Sequence, residues 1–475
     1  MAKQDETTMW PPQARRNDIQ DKLNGMLVDA IDRIQEGPAA PAVDITDLRR
    51  RIGQFDFASP VAVETAARDV IDLLVAGNVH MMHPGYMGLF NPSVAFPGIL
   101  ADQITATINP QLAVWSHAPA AVEIERYTIN AIAERFGWTA VHTAGHFTSG
   151  GAEANYTALL MALTDRFPAY GEEGTRGIPG QPTCYVSAES HLAWLKIAHQ
   201  AGVGRNAVRL VPTDGSGRMD TGKLSAMIEA DAAAGHIPFF VGATAGTTNA
   251  GMIDPLADIA RIAAGRLWFH VDAAWGGAAI LTPRTGGALD GIKEADTLTL
   301  DAHKWFAVPM GAGMLLTRHE ECLAQTFRVA ASYMPGETAE TLDPYTHSLQ
   351  WSRRFIGLKL FLSLASLGWQ GYRCHVEHAM DMAARLKALL EAEGWSVVND
   401  SPLAVLCFID EDTGLEPGEI AREVVARGPS WISAAKFEGR AVLRACITSH
   451  FTDEEDLRAL LTALNTARSQ LGGQK

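Results

Sequence analysis

The sequence predicts an α/β fold, with a mostly parallel central sheet covered by helices on both faces and a small α+β domain at the C-terminus. Three observations carry this. From about residue 180 to 320, short β-branched or aromatic runs alternate with helical stretches. Those runs are continuously apolar, as strands buried on both faces are. Past about residue 370 the order changes to a long helix, short strands and a closing helix. Alternating β and α segments build parallel sheets, and such sheets bind ligands at the carboxyl ends of their strands.

Taken in order, residues 1–80 hold two amphipathic stretches, IQDKLNGMLVDAIDRI and VAVETAARDVIDLLVAG, with apolar residues at three- and four-residue steps. They are too thin to form a core alone and are expected to pack on something else, such as another subunit. Residues 81–368 form the expected large domain. There CYVSAES precedes HLAWLKIAHQAG, VRLVPTD precedes TGKLSAMIEADAAAG, and FFVGATAG precedes PLADIARIAAG, before LWFHVDAA, TLTLDAH and AGMLLTRH. The Gly- and Pro-rich stretch at 170–182 reads as a surface loop. Residues 369–475 form the expected small domain: the helix VEHAMDMAARLKALLEAEG, strands WSVVN, AVLCFI and AVLRACIT, and the helix EEDLRALLTALNTARSQL.

Composition narrows the function classes. The 475 residues are 47% apolar and 20% charged, which argues against disorder. A net charge of −15 argues against nucleic acid or an anionic membrane as partner. Cys184, Cys322, Cys374, Cys407 and Cys446 are odd in number and lack zinc or redox spacing, so they read as reduced thiols of a cytoplasmic protein. The first residues have no signal-peptide core, and no run is apolar enough to suggest a membrane span.

The unusual residues fall just after the predicted strands. In HFTSGGAEANYTALLMAL, Gly150 and Gly151 open a helix, where backbone N–H groups and the helix dipole attract an anion. His191 follows a strand and offers a ring for stacking. Thr247 and Thr248 follow another strand, in GATAGTTNAGMID. Asp272 ends the strand LWFHVD, where a carboxylate must be paired or solvated. Lys304 ends TLTLDAHK, where partial desolvation would make its amine nucleophilic and suited to a Schiff base. Each residue alone has an ordinary reading as a cap, a turn residue or a snorkelling lysine. Together they suit a phosphorylated, cationic, aldehyde-bearing aromatic ring, which describes pyridoxal 5'-phosphate.

The motifs TSGGAEANYTAL, ESHLAWLKIA, GTTNAGMID, HVDAAWGG and DAHKW resemble the group II pyridoxal-phosphate-dependent amino-acid decarboxylases, the family of aromatic-L-amino-acid, glutamate and diaminobutyrate decarboxylases. The resemblance spans roughly residues 80–360 and implies the aspartate aminotransferase-like fold type I. It implies that Lys304 forms the Schiff base, Asp272 keeps the pyridinium nitrogen protonated, and Ala274 and His191 lie on either face of the ring. Gly150, Gly151, Ala152 and His303 would lie at the phosphate, Thr248 near the ring or the substrate carboxylate, and Asp254 would stiffen that loop. Asp301 stands where some members have Asn, and its charge would repel phosphate unless it points away. VAASYMPGETAETLDPYTHSLQWSRRF resembles the mobile loop that closes over the partner subunit's site. Tyr333 matches its proton-donating tyrosine, which favours simple decarboxylation and a homodimer with active sites at the subunit interface.

The resemblance also suggests the substrate. Tyr86, Phe90 and Trp115 lie where relatives build the side-chain pocket, and each reads equally well as core. Ser352 matches a position that goes with phenolic substrates. An aromatic L-amino acid is therefore expected, with the glutamate or diaminobutyrate type, or another carbon–carbon lyase of the family, as the alternative. Arg444 stands in a C-terminal setting where glutamate-using relatives bind a carboxylate, but from its own segment it reads as a surface arginine on a strand.

Overall fold

The computed structural model describes residues 8–329 and 341–473. Among these, the central sheet has seven strands: β1 (Ala144–Thr148), β2 (Pro182–Ser187), β3 (Val208–Val211), β4 (Ile237–Thr244), β5 (Trp268–Asp272), β6 (Thr297–Asp301) and β7 (Gly313–Thr317). Their spatial order is β1-β7-β6-β5-β4-β2-β3. Strands β2 to β6 are mutually parallel, while β7 runs antiparallel to both its neighbours, β1 and β6. The exception has a local cause. A parallel return needs a crossover of a dozen or more residues, usually helical, whereas 302–312 forms only tight turns and sends the chain straight back. Strand β1, absent from the expected set, is AGHFT, whose glycine and histidine hide its strand character. All but Gly145 of its residues are buried.

The helix Gly151–Arg166 lies against this sheet and is buried along much of its circumference, which explains its small and apolar composition. The small C-terminal sheet comprises β8 (Ser396–Val397), β9 (Val405–Ile409), β10 (Ser433–Phe437) and β11 (Arg440–Cys446), ordered β10-β11-β9-β8 and antiparallel throughout. Strand β10 is half-exposed and lacks an apolar run, so its sequence does not announce it. It joins β11 through Glu438 and Gly439, both at positive φ, the two-residue turn that matches strand twist. The helix leading into this part, Leu358–Ala392, breaks at Gly368, where φ is 64°.

HPGYMGLF links the two sheets. Met87 N–H donates to Trp431 O at 2.8 Å, Trp431 N–H to Gly85 O at 2.9 Å, and Cys446 N–H to Met87 O at 2.6 Å. Tyr86 stacks on Trp431 with ring centroids 5.1 Å apart. This clamp delivers Phe90 to the central sheet. The N-terminal helices Gln13–Glu36, Ile45–Ile52 and Val63–Gly77 bury only Ala30 and Leu73, and leave Val28, Ile52, Val63 and Leu74 more than half exposed. No helix among the described residues is long and apolar enough to cross a membrane. All five cysteines are free, and burial pushes the Cys184 and Cys407 thiols up to about 12, so they stay protonated and unreactive.

Gly88 tests the clamp. A Cβ there would lie 2.1 Å from the Trp431 ring. Gly88→Ala should cost about 1–3 kcal/mol, the usual range for overpacking, read as a lowered unfolding midpoint in urea.

Candidate active site

The carboxyl ends of β4, β5 and β6 meet at one cavity. Register pairs Asp272 with Thr244 on one side and Thr299 on the other. The cavity is lined by Gly151, Ala152, His191, Thr248, Asp272, Ala274 and Lys304, which the sequence brought forward one by one, and by Phe90. It is also lined by Asp301, which the resemblance put near the phosphate, and by Asn155, Thr244, Gly246 and Trp275, which the sequence reading did not place there. Asn155 had a signal: it lies four residues after Gly151 on a helix, hence on the same face.

Asp272 is 7% exposed and accepts one hydrogen bond at each carboxylate oxygen. Its Oδ2 accepts from Asn155 Nδ2 at 2.8 Å and its Oδ1 from the Ala274 N–H at 3.1 Å. Lys304 follows β6 in a turn closed by its own N–H to Asp301 O at 3.0 Å. Ala307 then takes φ 52°, an unusual value for a residue with a side chain. The Lys304 ammonium lies 3.1 Å from Asp301 Oδ2. Asp301 thus does not point away from the corner: its Oδ2 is 3.0 Å from where a Cβ on Gly151 would lie.

The anion corner is built from backbone. Gly151 and Ala152 open their helix, so their N–H groups have no acceptor within it. Gly313 makes the corner possible, because a Cβ there would sit 2.5 Å from both the Gly150 carbonyl carbon and Thr148 Oγ1. His303 Nδ1 accepts the Ala312 N–H at 3.2 Å, which leaves its proton on Nε2. Burial holds this imidazole neutral by lowering its pKa. The His303 ring edge lies 3.7 Å from a Cβ position on Gly150, and its Nε2 is 3.8 Å from Asp301 Oδ2. His191 Nδ1 likewise accepts the Ala193 N–H at 3.1 Å, fixing its ring at the helix start. Thr247, by contrast, is spent on its turn, accepting from Met252 N at 3.0 Å. Asp254 pins the same loop by accepting from Met219 N and Thr244 N at 2.7 and 2.8 Å, and burial raises it to about 6.

One wall is aromatic. Phe90 stacks on Trp275 at 4.3 Å, and Trp275 on Trp305 at 5.0 Å. Tyr86 is buried against Trp431 and does not line the cavity. Trp115 lies elsewhere in the chain, donating from Nε1 to Glu123 at 2.9 Å, and Ser352 accepts from Gln111 at 3.2 Å. Tyr333 lies outside the described residues. Arg444 is not a surface arginine. It is 3% exposed on the inner strand β11, with its guanidinium 4.7 Å from the Phe90 ring and its Nη1 on Gly88 O at 2.6 Å. It is buried because β11 is covered on both faces here: residues 442–446 are all buried, whichever face they point to.

These residues fit pyridoxal phosphate: an amine and a carboxylate share one cavity whose far corner presents helix-terminal N–H groups. The tension is Asp301, whose Oδ1 is buried and has no hydrogen-bond partner among the described residues. Behind Asp272, the buried His270 is held at about 4, against an ordinary 6.5, chiefly by desolvation. Its folded pKa is depressed, so the stability of the neutral ring is complete above pH 6.5 and is lost as pH falls through 4. The shift corresponds to about 3 kcal/mol. His270→Phe should therefore take up close to one proton fewer on unfolding between pH 6.5 and 4, measured from urea midpoints across that window.

Comparison with known proteins agrees with the geometry. Residues 56–410 match the model of the pyridoxal-dependent decarboxylase conserved domain. An aromatic-L-amino-acid decarboxylase of Bacillus atrophaeus is 27% identical over 92% of both chains. An L-aspartate decarboxylase of Metarhizium robertsii is 31% identical over 70% of this chain and 67% of its own. The crystal structure of Oryza sativa TDC with PLP and tryptamine superposes with a TM-score of 0.91 at 22% identity, covering 98% of this chain and all of that one. The chain belongs to the pyridoxal-dependent decarboxylase family and is a pyridoxal-phosphate-dependent amino-acid decarboxylase.

Proposed function

We propose that this enzyme decarboxylates an aromatic L-amino acid, releasing CO2 and the corresponding amine, and that it works as a cytoplasmic homodimer. The observation that carries the reading is the shared cavity of Lys304 and Asp272 under the Phe90–Trp275 wall. When bound, pyridoxal phosphate supplies an electron sink for the pair released as the carboxylate leaves. Lys304 provides the amine that holds it, and Asp301 keeps that amine in place beforehand. Asp272 holds a proton on the ring nitrogen, and His191 and Ala274 confine the ring. Gly150, Gly151, Ala152 and the His303 Nε2–H bind the phosphate end, with Thr248 beside the ring. Tyr333, from the neighbouring subunit, returns a proton to the α-carbon. Phe90 contacts the substrate side chain, and Trp115 and Ser352, which lie outside this cavity, complete the substrate region across the two subunits; Tyr86 acts only as the stacked support of the segment that carries Phe90.

The dimer accounts for the apolar side chains left exposed on the N-terminal helices, which need a second surface to cover them. The division into residues 1–80, 81–368 and 369–475 belongs to the same proposal, with the helix break at Gly368 next to the last boundary. A second reading, an acidic substrate of the glutamate type, is favoured by one observation. Arg444 Nε and Nη2 are buried without hydrogen-bond partners among the described residues, beside the Phe90 ring.

A panel of L-amino acids scored for CO2 release separates the two: tyrosine, dihydroxyphenylalanine or tryptophan should exceed aspartate and glutamate, and the reverse ranking would select the second. Lys304→Ala should abolish turnover and the covalent yellow chromophore that borohydride fixes in the parent enzyme. Light scattering should give twice the chain mass. Asp301→Asn, which removes a negative charge from the phosphate corner, should tighten pyridoxal phosphate binding in a fluorescence titration.

A further inference from the structure

The hydrogen bonds behind Asp272 run in a single direction. Trp268, His270 and Asp272 are alternate residues of β5 and so share one face of the strand. Thr297 of β6 pairs in register with His270. Trp268 Nε1 lies 3.0 Å from Thr297 Oγ1, Thr297 Oγ1 lies 2.9 Å from His270 Nδ1, and His270 Nε2 lies 3.0 Å from Asn155 Oδ1. Asn155 Nδ2 completes the chain at 2.8 Å from Asp272 Oδ2.

Donor chemistry sets the polarity. The carboxylate only accepts, so Asn155 turns its NH2 to Asp272 and its Oδ1 to His270. His270 therefore carries its proton on Nε2, and its bare Nδ1 accepts from the Thr297 hydroxyl, whose oxygen accepts in turn from the Trp268 indole N–H. Rotating that amide by half a turn would set its oxygen against the carboxylate and its NH2 against a protonated nitrogen, losing both bonds. Trp194 and Phe240 enclose the imidazole at 5.5 and 5.8 Å, so the ring has an apolar box and, among the described residues, no charged group acting on it besides Asp272.

We propose that Trp268, Thr297, His270 and Asn155 form a directed relay whose function is to present Asp272 as an oriented, hydrogen-bonded anion to the cofactor ring nitrogen. The inference rests on the cofactor reading above. Asn155, His270 and Thr297 are positioning residues: they act through Asp272. A donor on Asp272 Oδ2 stabilises the carboxylate form and so keeps the shared proton on the ring. Loss of the relay frees the Asn155 amide to rotate and lets that proton drift to Asp272.

The test uses Thr297, which lies three bonds of the relay away from the carboxylate. Thr297→Val keeps the shape and removes the hydroxyl, while Thr297→Ser keeps the hydroxyl and removes the methyl. In the cofactor-free protein, 15N spectra of the histidines should place the His270 proton on Nε2. Titration with pyridoxal phosphate should show Thr297→Val binding about tenfold more weakly, at the lower end of outer-shell effects on a site, with Thr297→Ser close to the parent. In steady-state assays, kcat should fall in Thr297→Val with KM little changed, and Thr297→Ser should restore it. A His270 proton on Nδ1, or equal behaviour of the Val and Ser variants in well-folded protein, overturns the relay alone. A parent protein that binds no pyridoxal phosphate overturns the cofactor reading and this inference with it.

Discussion

A carboxylate with 7% of its surface exposed has to be matched by donors, and the architecture around Asp272 is arranged to match it. Parallel pairing of β4, β5 and β6 brings three strand ends to one level, so the acid emerges beside Thr244 and Thr299 instead of in solvent. The helix Gly151–Arg166 packs near enough to bring Asn155 to 2.8 Å from the acid, and the same helix aims its N-terminus at the far corner of the cavity. One rigid element therefore serves both the negative group of the protein and the negative group of the ligand. Shifting that helix by one turn would cost both.

The cation depends on a reversal of the chain. Lys304 follows a strand whose successor runs antiparallel, so the turn carrying it folds back over the strand end. Asp301, Ala302 and His303 of that turn are almost wholly buried. The ion pair between Lys304 and Asp301 accounts for an ammonium on the cavity wall before any aldehyde is present to take the amine. It also accounts for a carboxylate in a corner suited to phosphate: the two charges neutralise each other across 3.1 Å.

The aromatic wall of the cavity has a different origin. The central sheet builds the reacting centre, but the wall above it comes from Phe90, held by a segment paired to the C-terminal part of the chain. Arg444 braces that segment through Gly88 O and lies against the same ring. The C-terminal sheet thus reaches the cavity by way of residues 83–90, and changes in its strands can alter the pocket without touching Asp272 or Lys304.

Much of the candidate site was legible in the sequence because its residues sit in short contiguous motifs. Gly151, His191, Asp272 and Lys304 each follow an apolar run, and strand-end position alone was enough to bring them to one place. The order of β and α segments likewise determined a mostly parallel sheet. Tertiary structure alone decided the rest, since pairing partners and burial are set by contacts distant in sequence. It made β7 antiparallel, recruited β1 and β10 despite their weak apolar patterns, and turned Asp301 toward Lys304. It also buried Arg444, because residues 442–446 of β11 are covered on both faces of the sheet by packing that the local sequence does not record.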